Sequence, residues 1–421
     1  MTEFTPPSAA TTPDGSEPHV EMRYVARHPI LNMAGKVLGY ELLFRQGPAL
    51  GFGGDGTVAT RSVLDDTLYF GINRLTGGLP AFINCSAESI LERFVEVLPP
   101  ARTVIEIDAS LDFSRDLPAA CRHLKSLGYT LALDNFVWDS LLEPMLQIAD
   151  YIKIDCLSTT PEMRKELLGL FRHSPALPVA VRVETQEAHR LARQEGFTLF
   201  QGFYFCRPEL IAHAKIPANR LIHLQILQYL YQDPLDLKKI APLVKCDAAL
   251  TWRLLRLVNS PALAIHQEIN SIEAAILVIG ENAFRRIATV AILSEMNSGK
   301  PPEILRMALV RARFCELVAP FIGLEPDELY LVGMLSLLPA MMHTAMESVI
   351  YQLPLRHEIR QALLGHETPE RWPLSWLEHW EHGEWEQCDA MVSNAGHAPQ
   401  HFIQCYHAAL AWDGNTRETT S

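Results

Sequence analysis

The sequence lacks three features that would assign it at once to a familiar class: paired cysteines, a long apolar run and an excess of positive charge. Its eight cysteines are scattered without a CxxC pair, which argues against a disulfide-stapled scaffold and indicates reduced core thiols. No stretch approaches the ~20 apolar residues that cross a bilayer. The first residues, MTEFTPPSAATTPDGSEP, lack the basic start and apolar core of a signal peptide. We therefore expect a cytoplasmic protein without a membrane partner.

The charge balance bears on the partners of the chain. With 36 basic and 49 acidic residues, the formal net charge is −13. Nucleic-acid binding depends on clustered Lys and Arg, so a nucleic-acid partner is not expected. The length of 421 residues, with 48% hydrophobic and 20% charged residues, is enough for two globular domains.

The first half of the chain has the pattern of an α/β domain. Residues 1–19 are rich in Pro, Thr and Ser and are expected to form a disordered tail. From 20 to 212, short β-branched runs alternate with helix-period segments, which predicts parallel strands with right-handed crossovers. The first two runs, joined by LNMAGK, are predicted to form an antiparallel hairpin. The eight runs are EMRYVARHPI, KVLGYELLFR, AFINCS, TVIEIDA, TLALDN, YIKID, PVAVRVE and TLFQGFYF.

Eight such runs predict a TIM-like (β/α)₈ barrel, with a doubly wound open sheet as the alternative. From 213 to 412 the apolar residues recur at helical spacing only, with Pro, Gly or Asn at the joints, which predicts an all-α domain. One predicted helix ends at Asn259, just before Pro261. Residues 413–421 are expected to form a flexible tail.

Polar side chains end the predicted strands of the barrel. In a TIM barrel the functional residues collect at the carboxyl ends of the strands, so these side chains are expected to converge. Carboxylates and an amide carbonyl suit Mg²⁺ or Mn²⁺, and paired cations are the chemistry of phosphodiester hydrolysis. Any one of these residues taken alone could instead be a strand-end acid or a helix cap. They are Glu41, Asn84, Glu106, Asp134, Lys153 and Glu184.

The motifs of both halves resemble known domains. The series ARHPI, GYELLFR, FINCS, IEID, LDNF, YIKID, VET and QGFYFCRP resembles, in order and spacing, the EAL domain, a cyclic di-GMP phosphodiesterase domain. The helical half resembles the HDOD domain, an HD-related output domain, through DAALTWRLLRLVNS, SIEAAILVIG and GMLSLLPA. Together the two halves resemble the bacterial EAL–HDOD signalling proteins.

The resemblance implies roles for the strand-end residues. Lys153 corresponds to the lysine beside the nucleophilic water, and Glu184 to a glutamate that steadies the loop after Asp134. In the ligand pocket, Arg45 corresponds to the arginine that holds a phosphate of cyclic di-GMP, and Gln201 to a glutamine at the site. The residues that correspond to ligands of the first Mg²⁺ or Mn²⁺ ion are Glu41, Asn84, Glu106 and Asp134.

Departures from the family pattern concentrate on the second cation. Asn135 and Val181 stand where the family has carboxylates, so only the remnant of a one-metal site is expected, and the catalytic residues are vestigial. We hypothesise that Arg182 supplies positive charge there by pairing with Glu106 or Asp134.

The nucleotide pocket and the helical half depart from the family as well. His28 replaces a usual Gln, so the pocket either still binds the dinucleotide or uses Arg45 only to pair a strand-end acid. In the helical half, Ser336-Leu337 replaces the His-Asp doublet of HD hydrolases. That half is therefore expected to present a groove or face to a protein partner, with Asn259 and the helices around it as candidates. A homodimer is left open.

These observations predict a signalling protein whose degenerate phosphodiesterase barrel binds ligand or protein without cleavage. The alternative is a slow metal-dependent cyclic di-GMP phosphodiesterase. The glycine-rich loop at 51–56 lacks the Gly-Lys-Ser/Thr ending of a phosphate cradle and is interpreted as a flexible loop. The group His379, His382 and Cys388 does not have the spacing of a structural zinc site.

Overall fold

A computed structural model describes residues 23–46, 72–113, 116–171, 174–206, 218–260, 269, 271–342 and 344–418. The predicted tail at 1–19, the glycine-rich loop at 51–56 and the segment 60–71 before the third strand lie outside the described residues.

Eight strands close into a barrel in sequence order, which confirms the predicted barrel and excludes the open sheet. β1 runs antiparallel to both neighbours, β2 and β8, and the other neighbouring pairs are parallel. The predicted hairpin is confirmed, with His28 opposite Glu41. The strands are β1 Arg23–Asn32, β2 Val37–Gln46, β3 Ala81–Asn84, β4 Thr103–Asp108, β5 Thr130–Asp134, β6 Tyr151–Asp155, β7 Leu177–Val181 and β8 Leu199–Gln201.

The interior of the barrel contains its own apolar layer, formed by residues that include Ile30, Phe82, Val104 and Leu199. Side chains two positions apart along a strand share a face, so the next inward positions lie closer to the carboxyl rim. The apolar layer thus forms the floor of a polar ring at that rim. On β3 to β8 the ring positions are Asn84, Glu106, Asp134, Lys153, Val181 and Gln201.

Short helices connect the strands. The helix predicted from TQEAHRLARQEG begins after Thr185, whose side chain accepts a hydrogen bond from the Ala188 N–H, and ends at Gly196 with φ 113°. The helices of the barrel are α1 Ile72–Thr76, α2 Ala87–Leu91, α3 Leu117–Ser126, α4 Glu143–Leu146, α5 Pro161–Leu170 and α6 Gln186–Glu195. Short 3₁₀ turns lie at Phe94–Val97, Pro100–Arg102, Ser140–Leu142 and Phe203–Cys206.

The second half is all helical, as predicted. Gly333 lets α13 approach α12 closely, because a Cβ atom there would lie 2.5 Å from the Arg311 backbone. The helices are α7 Ala218–Leu230, α8 Leu237–Lys245, α9 Ala248–Val258, α10 Ile272–Ile279, α11 Glu281–Met296, α12 Pro302–Val318, α13 Pro326–Leu335, α14 Leu338–Met342, α15 Met346–Ile350, α16 His357–Leu363, α17 Trp372–Glu381, α18 Trp385–Asn394 and α19 Pro399–Glu418; a 3₁₀ turn spans Ala319–Ile322.

Two further features concern the ends and surface of this half. α19 continues to Glu418, so residues 413–418, which were expected to belong to a flexible tail, lie in a helix. None of the helices in the described ranges combines the length and apolar character of a membrane-spanning segment.

Candidate carboxylate and lysine site at the barrel rim

The ammonium group of Lys153 lies at the centre of the polar ring. Its Nζ donates to Glu41 Oε2 and to Glu106 Oε1, both at 2.8 Å, and lies 3.6 Å from Asp134 Oδ1. Lys153 is 2% exposed and Glu106 is fully buried. Four of the predicted residues, taken from β2, β4, β5 and β6, are thus brought together in one ion-pair cluster.

Two side-chain amides also donate hydrogen bonds to the Glu41 carboxylate. Asn84 Nδ2 donates to Glu41 Oε1 at 3.0 Å, and Gln201 Nε2 donates to Glu41 Oε2 at 2.5 Å. The same Gln201 nitrogen lies 3.4 Å from Nδ1 of His28. The predicted ligand-binding residues His28 and Gln201 therefore adjoin the cluster directly.

The cluster favours one carboxylate anion over several. Burial alone would raise the pKa of Glu41, but Lys153 and Gln201 outweigh it and lower that pKa to about 2. Burial, reinforced by the charge on Glu41, raises the pKa of Glu106 well above its usual range. Burial also raises the pKa of Asp134, against the influence of Lys153. One ammonium group does not compensate two buried carboxylates and the half-buried Asp134, so a further positive charge would be favoured here.

Lys153 and His28 differ in their charge state. Burial would lower the pKa of Lys153, but Glu106 and Glu41 outweigh it and raise that pKa above its usual value. Burial lowers the pKa of His28 to about 4, although Glu41 acts in the opposite direction. The lysine is therefore a cation and the histidine is neutral at physiological pH.

Some oxygens of the ring have no partner among the described residues. Glu106 Oε2 and Gln201 Oε1 are buried and make no hydrogen bond there. Within the described part of the chain, no three His, Cys, Asp or Glu side chains are gathered as a ready-made metal site. The acids surround the ammonium group instead. Even so, two unpartnered oxygens beside Glu41 and Asp134 are chemically suited to one hard cation.

The two positions that depart from the family pattern do not add charge to the ring. Val181 ends β7 and belongs to the apolar layer of the barrel interior. Asn135 has φ 51°, and its side chain donates to Asp108 Oδ2 at 2.9 Å. The Asn135 amide thus binds Asp108, an acid that lies beyond the ring toward the carboxyl rim.

The hypothesis for Arg182 is wrong. Its guanidinium pairs with Asp155 Oδ2 at 3.3 Å, and its side chain is 64% exposed. The cause is local: Arg182 follows the last residue of β7 and has φ 56°, so the chain has already turned away from the strand direction. Adjacency to Val181 in the sequence did not indicate this turn.

The structure does not bring Glu184 into the cluster. It is half-buried beyond the end of β7, and its charge contributes to a raised pKa of Cys206, for which burial is the largest cause. Arg45 lies in β2 opposite Tyr24, and its side chain lies outside the described part of the structure.

Sequence reasoning missed Asp108 and Asp155. Each lies two positions beyond a ring residue, Glu106 or Lys153, and so shares its face. They extend the acidic rim above the cluster, and they hold the Asn135 and Arg182 side chains. The signal was present in the motifs IEID and YIKID, where the second acid follows at strand spacing.

In the helical half, the position of the expected His-Asp doublet contains a different network. Ser336 follows α13, donates to the Gly333 carbonyl at 2.8 Å and accepts from Arg311 Nη1 at 3.3 Å. Arg311 is buried and forms a two-bond pair with Glu381, at 2.6 and 3.2 Å. A cation supplied by the chain itself therefore occupies this part of the core.

The Asn259 side chain is bonded to the backbone on both sides of the end of α9. Its Nδ2 donates to the carbonyls of Leu255 and Ile269, at 2.9 and 2.8 Å, and its Oδ1 accepts from the Ile269 N–H at 2.8 Å. Its amide thus fixes the end of α9 to the segment before α10, and the expectation that exposed Asn259 contacts a partner stays a prediction.

Comparisons with known proteins agree with the motifs. The HDOD domain model matches residues 216–370. The chain is 31% identical over 403 residues to "Uncharacterized protein YuxH" of Bacillus subtilis (strain 168), covering 93% of this chain and 98% of that protein. It is 34% identical over 370 residues to "Cyclic di-GMP phosphodiesterase CdgJ" of Vibrio cholerae, covering 86% of each. A solved EAL domain protein from Listeria monocytogenes EGD-e is 24% identical, with a TM-score of 0.37, and covers 44% of this chain and 87% of that one.

Proposed function

Because this chain belongs to the EAL–HDOD family of bacterial proteins, we propose that its barrel binds cyclic di-GMP without hydrolysing it and that its helical domain passes the state of the barrel to a protein partner. The protein would thus act as a signalling component rather than as an enzyme. In its motifs the site keeps Arg45 and Gln201 of the family's ligand pocket, has His28 in place of a usual Gln, and lacks two of the acids expected for the second cation.

The observation that carries this proposal is the uneven content of the polar ring. Glu41, Glu106 and Asp134 still surround Lys153, whereas Val181 contributes only methyl groups to the same level. Hydrolysis by paired cations requires enough acids to hold both of the cations that act on the attacked phosphate. Val181 and Asn135, at the two positions where the family has acids for the second cation, are both neutral, and Asn135 is bonded to Asp108.

A single Mg²⁺ or Mn²⁺ ion is compatible with the remaining half. Glu41, Asn84, Glu106 and Asp134 would hold it, with the Asn84 amide turned to present its oxygen. The ion would supply positive charge that polarises a phosphate oxygen of the ligand. Glu106 Oε2 supports this assignment, because it is buried without a hydrogen-bond partner among the described residues, and such an atom is unfavourable unless a ligand contacts it.

The ligand assignment rests on the motifs and on one relative. The relative named as a cyclic di-GMP phosphodiesterase aligns over most of both chains. Arg45 is proposed to hold a phosphate, and Gln201 and His28 to contact the nucleotide beside the cluster. His28 is neutral, so it would offer hydrogen bonds and ring stacking rather than charge.

The same relative favours a second candidate, a weakly active cyclic di-GMP phosphodiesterase. In that case Lys153 would orient the attacking water, and Glu41, Asn84, Glu106 and Asp134 would hold the metal. A missing general base typically lowers the rate ~10²–10⁴-fold, which would leave slow turnover.

One experiment separates the two candidates. Cyclic di-GMP is titrated into the full chain in a calorimeter, with and without Mn²⁺, and linear product is measured in the same samples after long incubation. Binding without product supports the proposal. Product that Glu41→Gln abolishes, while Glu195→Gln leaves it unchanged, supports the enzyme. If neither heat of binding nor linear product is detected, both candidate functions are contradicted.

A further inference from the structure

The outer face of the β1–β2 hairpin is anchored to the helical domain through Tyr40. This side chain is fully buried, and its hydroxyl donates to Glu303 Oε2 at 2.8 Å and accepts from Arg306. The guanidinium groups of Arg27 and Arg306 lie over the ring, at 5.0 and 5.1 Å from its centroid. Glu303 and Arg306 belong to α12, so a helix of the second domain holds a strand of the first.

This anchor lies directly behind the carboxylate cluster. Successive side chains of a strand point to opposite faces, so Tyr40 faces the helical domain while Glu41 faces the barrel interior. Glu41 is the acid that contacts Lys153, Asn84 and Gln201. A shift of β2 at Tyr40 would therefore move the carboxylate that has the most partners in the ring.

A second contact leads from the site to α17. The Phe203 ring lies between His28, at 4.5 Å, and His382, at 4.4 Å, measured between ring centroids. His28 adjoins Gln201, whose amide donates to Glu41. His382 is the residue that ends α17. The three rings thus form a continuous path from the cluster to the helical domain.

The turn that carries Phe203 has little freedom to move by itself. Gly202 has φ 143°, and a Cβ atom there would lie 2.1 Å from the Val183 carbonyl oxygen. The Val183 N–H donates to the Gln201 carbonyl, and the Tyr204 N–H donates to the Val183 carbonyl. A displacement of Phe203 is therefore transmitted to Gln201 rather than absorbed between them.

We propose that Glu303, Arg306 and His382 of the helical domain are positioning residues for the barrel site, acting on Glu41 through Tyr40 and on His28 through Phe203. Coupling between two sites is reciprocal, so the state of the carboxylate cluster must in turn alter the docking of α12 and α17. This goes beyond ligand binding, since it assigns the route by which the two domains affect each other, and it holds whether or not the ligand is cyclic di-GMP.

The test uses the full chain without nucleotide. The readout is the rate at which an amine-reactive reagent labels Lys153, measured by mass spectrometry, with Lys125 as an internal reference. Tyr40→Phe removes the hydroxyl held by α12. The matched control is Tyr129→Phe: its hydroxyl is also buried and donates to the Leu98 carbonyl at 2.6 Å, within the barrel and away from the helical domain.

Tyr40→Phe is expected to raise Lys153 labelling at least about tenfold relative to Tyr129→Phe, because a buried hydrogen bond to charged partners is lost behind the site. His382→Ala, at an exposed position that folding tolerates, is expected to act in the same direction, whereas His379→Ala on the same helix leaves labelling unchanged. The proposal would be overturned if Lys153 is labelled equally fast in Tyr40→Phe and Tyr129→Phe, and equally fast in His382→Ala and His379→Ala.

The reverse direction is tested by hydrogen exchange. Glu41→Gln is expected to change the exchange rates of α12 and of the last turn of α17. The control Glu195→Gln breaks an ion pair with Arg164 on the barrel exterior and should leave those helices unchanged. If Glu41→Gln does not fold, Asn84→Ala perturbs the same carboxylate from an exposed position. Unaltered exchange in both helices would also refute the coupling.

Discussion

Replacement of Lys153 by methionine is the sharpest perturbation of the proposed site. It keeps the length of the side chain and removes the only ammonium group within contact of Glu41 and Glu106 among the described residues. Removing one partner of a buried ion pair leaves an uncompensated buried charge, which typically costs ~3–5 kcal/mol. We expect Lys153→Met to lower the free energy of unfolding by about that amount at pH 7.

The control is Lys125→Met. Lys125 contacts both carboxylate oxygens of Asp150, at 2.7 and 2.8 Å, so the contact is as short as that of Lys153. Both side chains of this pair are about one third exposed, however, and exposed ion pairs contribute only ~0–1 kcal/mol. The two substitutions should therefore differ by roughly 3 kcal/mol in urea unfolding followed by circular dichroism.

The pH dependence of this loss has a definite sign. Because the pKa of Glu41 is lowered in the folded protein, Glu41 contributes to the free energy of unfolding when the pH is above its pKa in the unfolded chain. This contribution is lost as the pH falls toward about 2. Because the pKa of Lys153 is raised in the folded protein, Lys153 contributes to the free energy of unfolding when the pH is below its pKa in the unfolded chain. This contribution is lost only in strong alkali. The gap between the native protein and Lys153→Met should thus close as the pH falls from 5 toward about 2. If Lys153→Met lowers the free energy of unfolding at pH 7 by less than about 1 kcal/mol, no more than Lys125→Met does, the reasoning is refuted.

Three further predictions follow from individual side chains. Asn259→Ala should lower the free energy of unfolding by ~2–3 kcal/mol in urea titrations, because three backbone groups lose a hydrogen bond. Asn282→Ala, which removes one hydrogen bond of 3.4 Å to Asp327, should have little effect. Burial lowers the pKa of His189 to about 4, so the neutral ring contributes to stability above pH 6.5, and this contribution is lost as the pH falls from 6.5 toward 4. His189→Phe keeps the ring stacked on Tyr204 and should reduce the loss in free energy of unfolding between pH 7 and 4 by on the order of 1–2 kcal/mol. The raised pKa of Glu106 disfavours its anion, so the stability of Glu106→Gln relative to the native protein should improve from pH 4 to pH 8, and a flat or opposite trend in urea titrations would contradict the assignment.

The strands and the inward acids could be predicted from the sequence because both follow a local period. The alternation of strands and helices, the hairpin at the start and the strand-end positions of Glu106, Asp134 and Lys153 all appear in the structure. Each depends on the two-residue repeat of a strand and on the rule that parallel strands end at one rim.

The remaining features depend on the path of the chain after a strand ends. Arg182 and Asn135 both have positive φ, and neither is a glycine whose presence would mark such a turn. The sequence therefore gave no indication that Arg182 points to Asp155. The contacts of Tyr40 with α12 and of Phe203 with His382 join distant parts of the chain, which no local pattern reveals.

The number of cations held by the ring tests the central claim most directly. Crystals of the full chain are soaked in excess Mn²⁺ together with cyclic di-GMP, and the manganese ions are counted from their anomalous scattering. We predict at most one ion, bound by Glu41, Glu106 and Asp134, beside an intact dinucleotide. Two fully occupied ions about 4 Å apart, with one near Val181 and Asn135, would contradict the account.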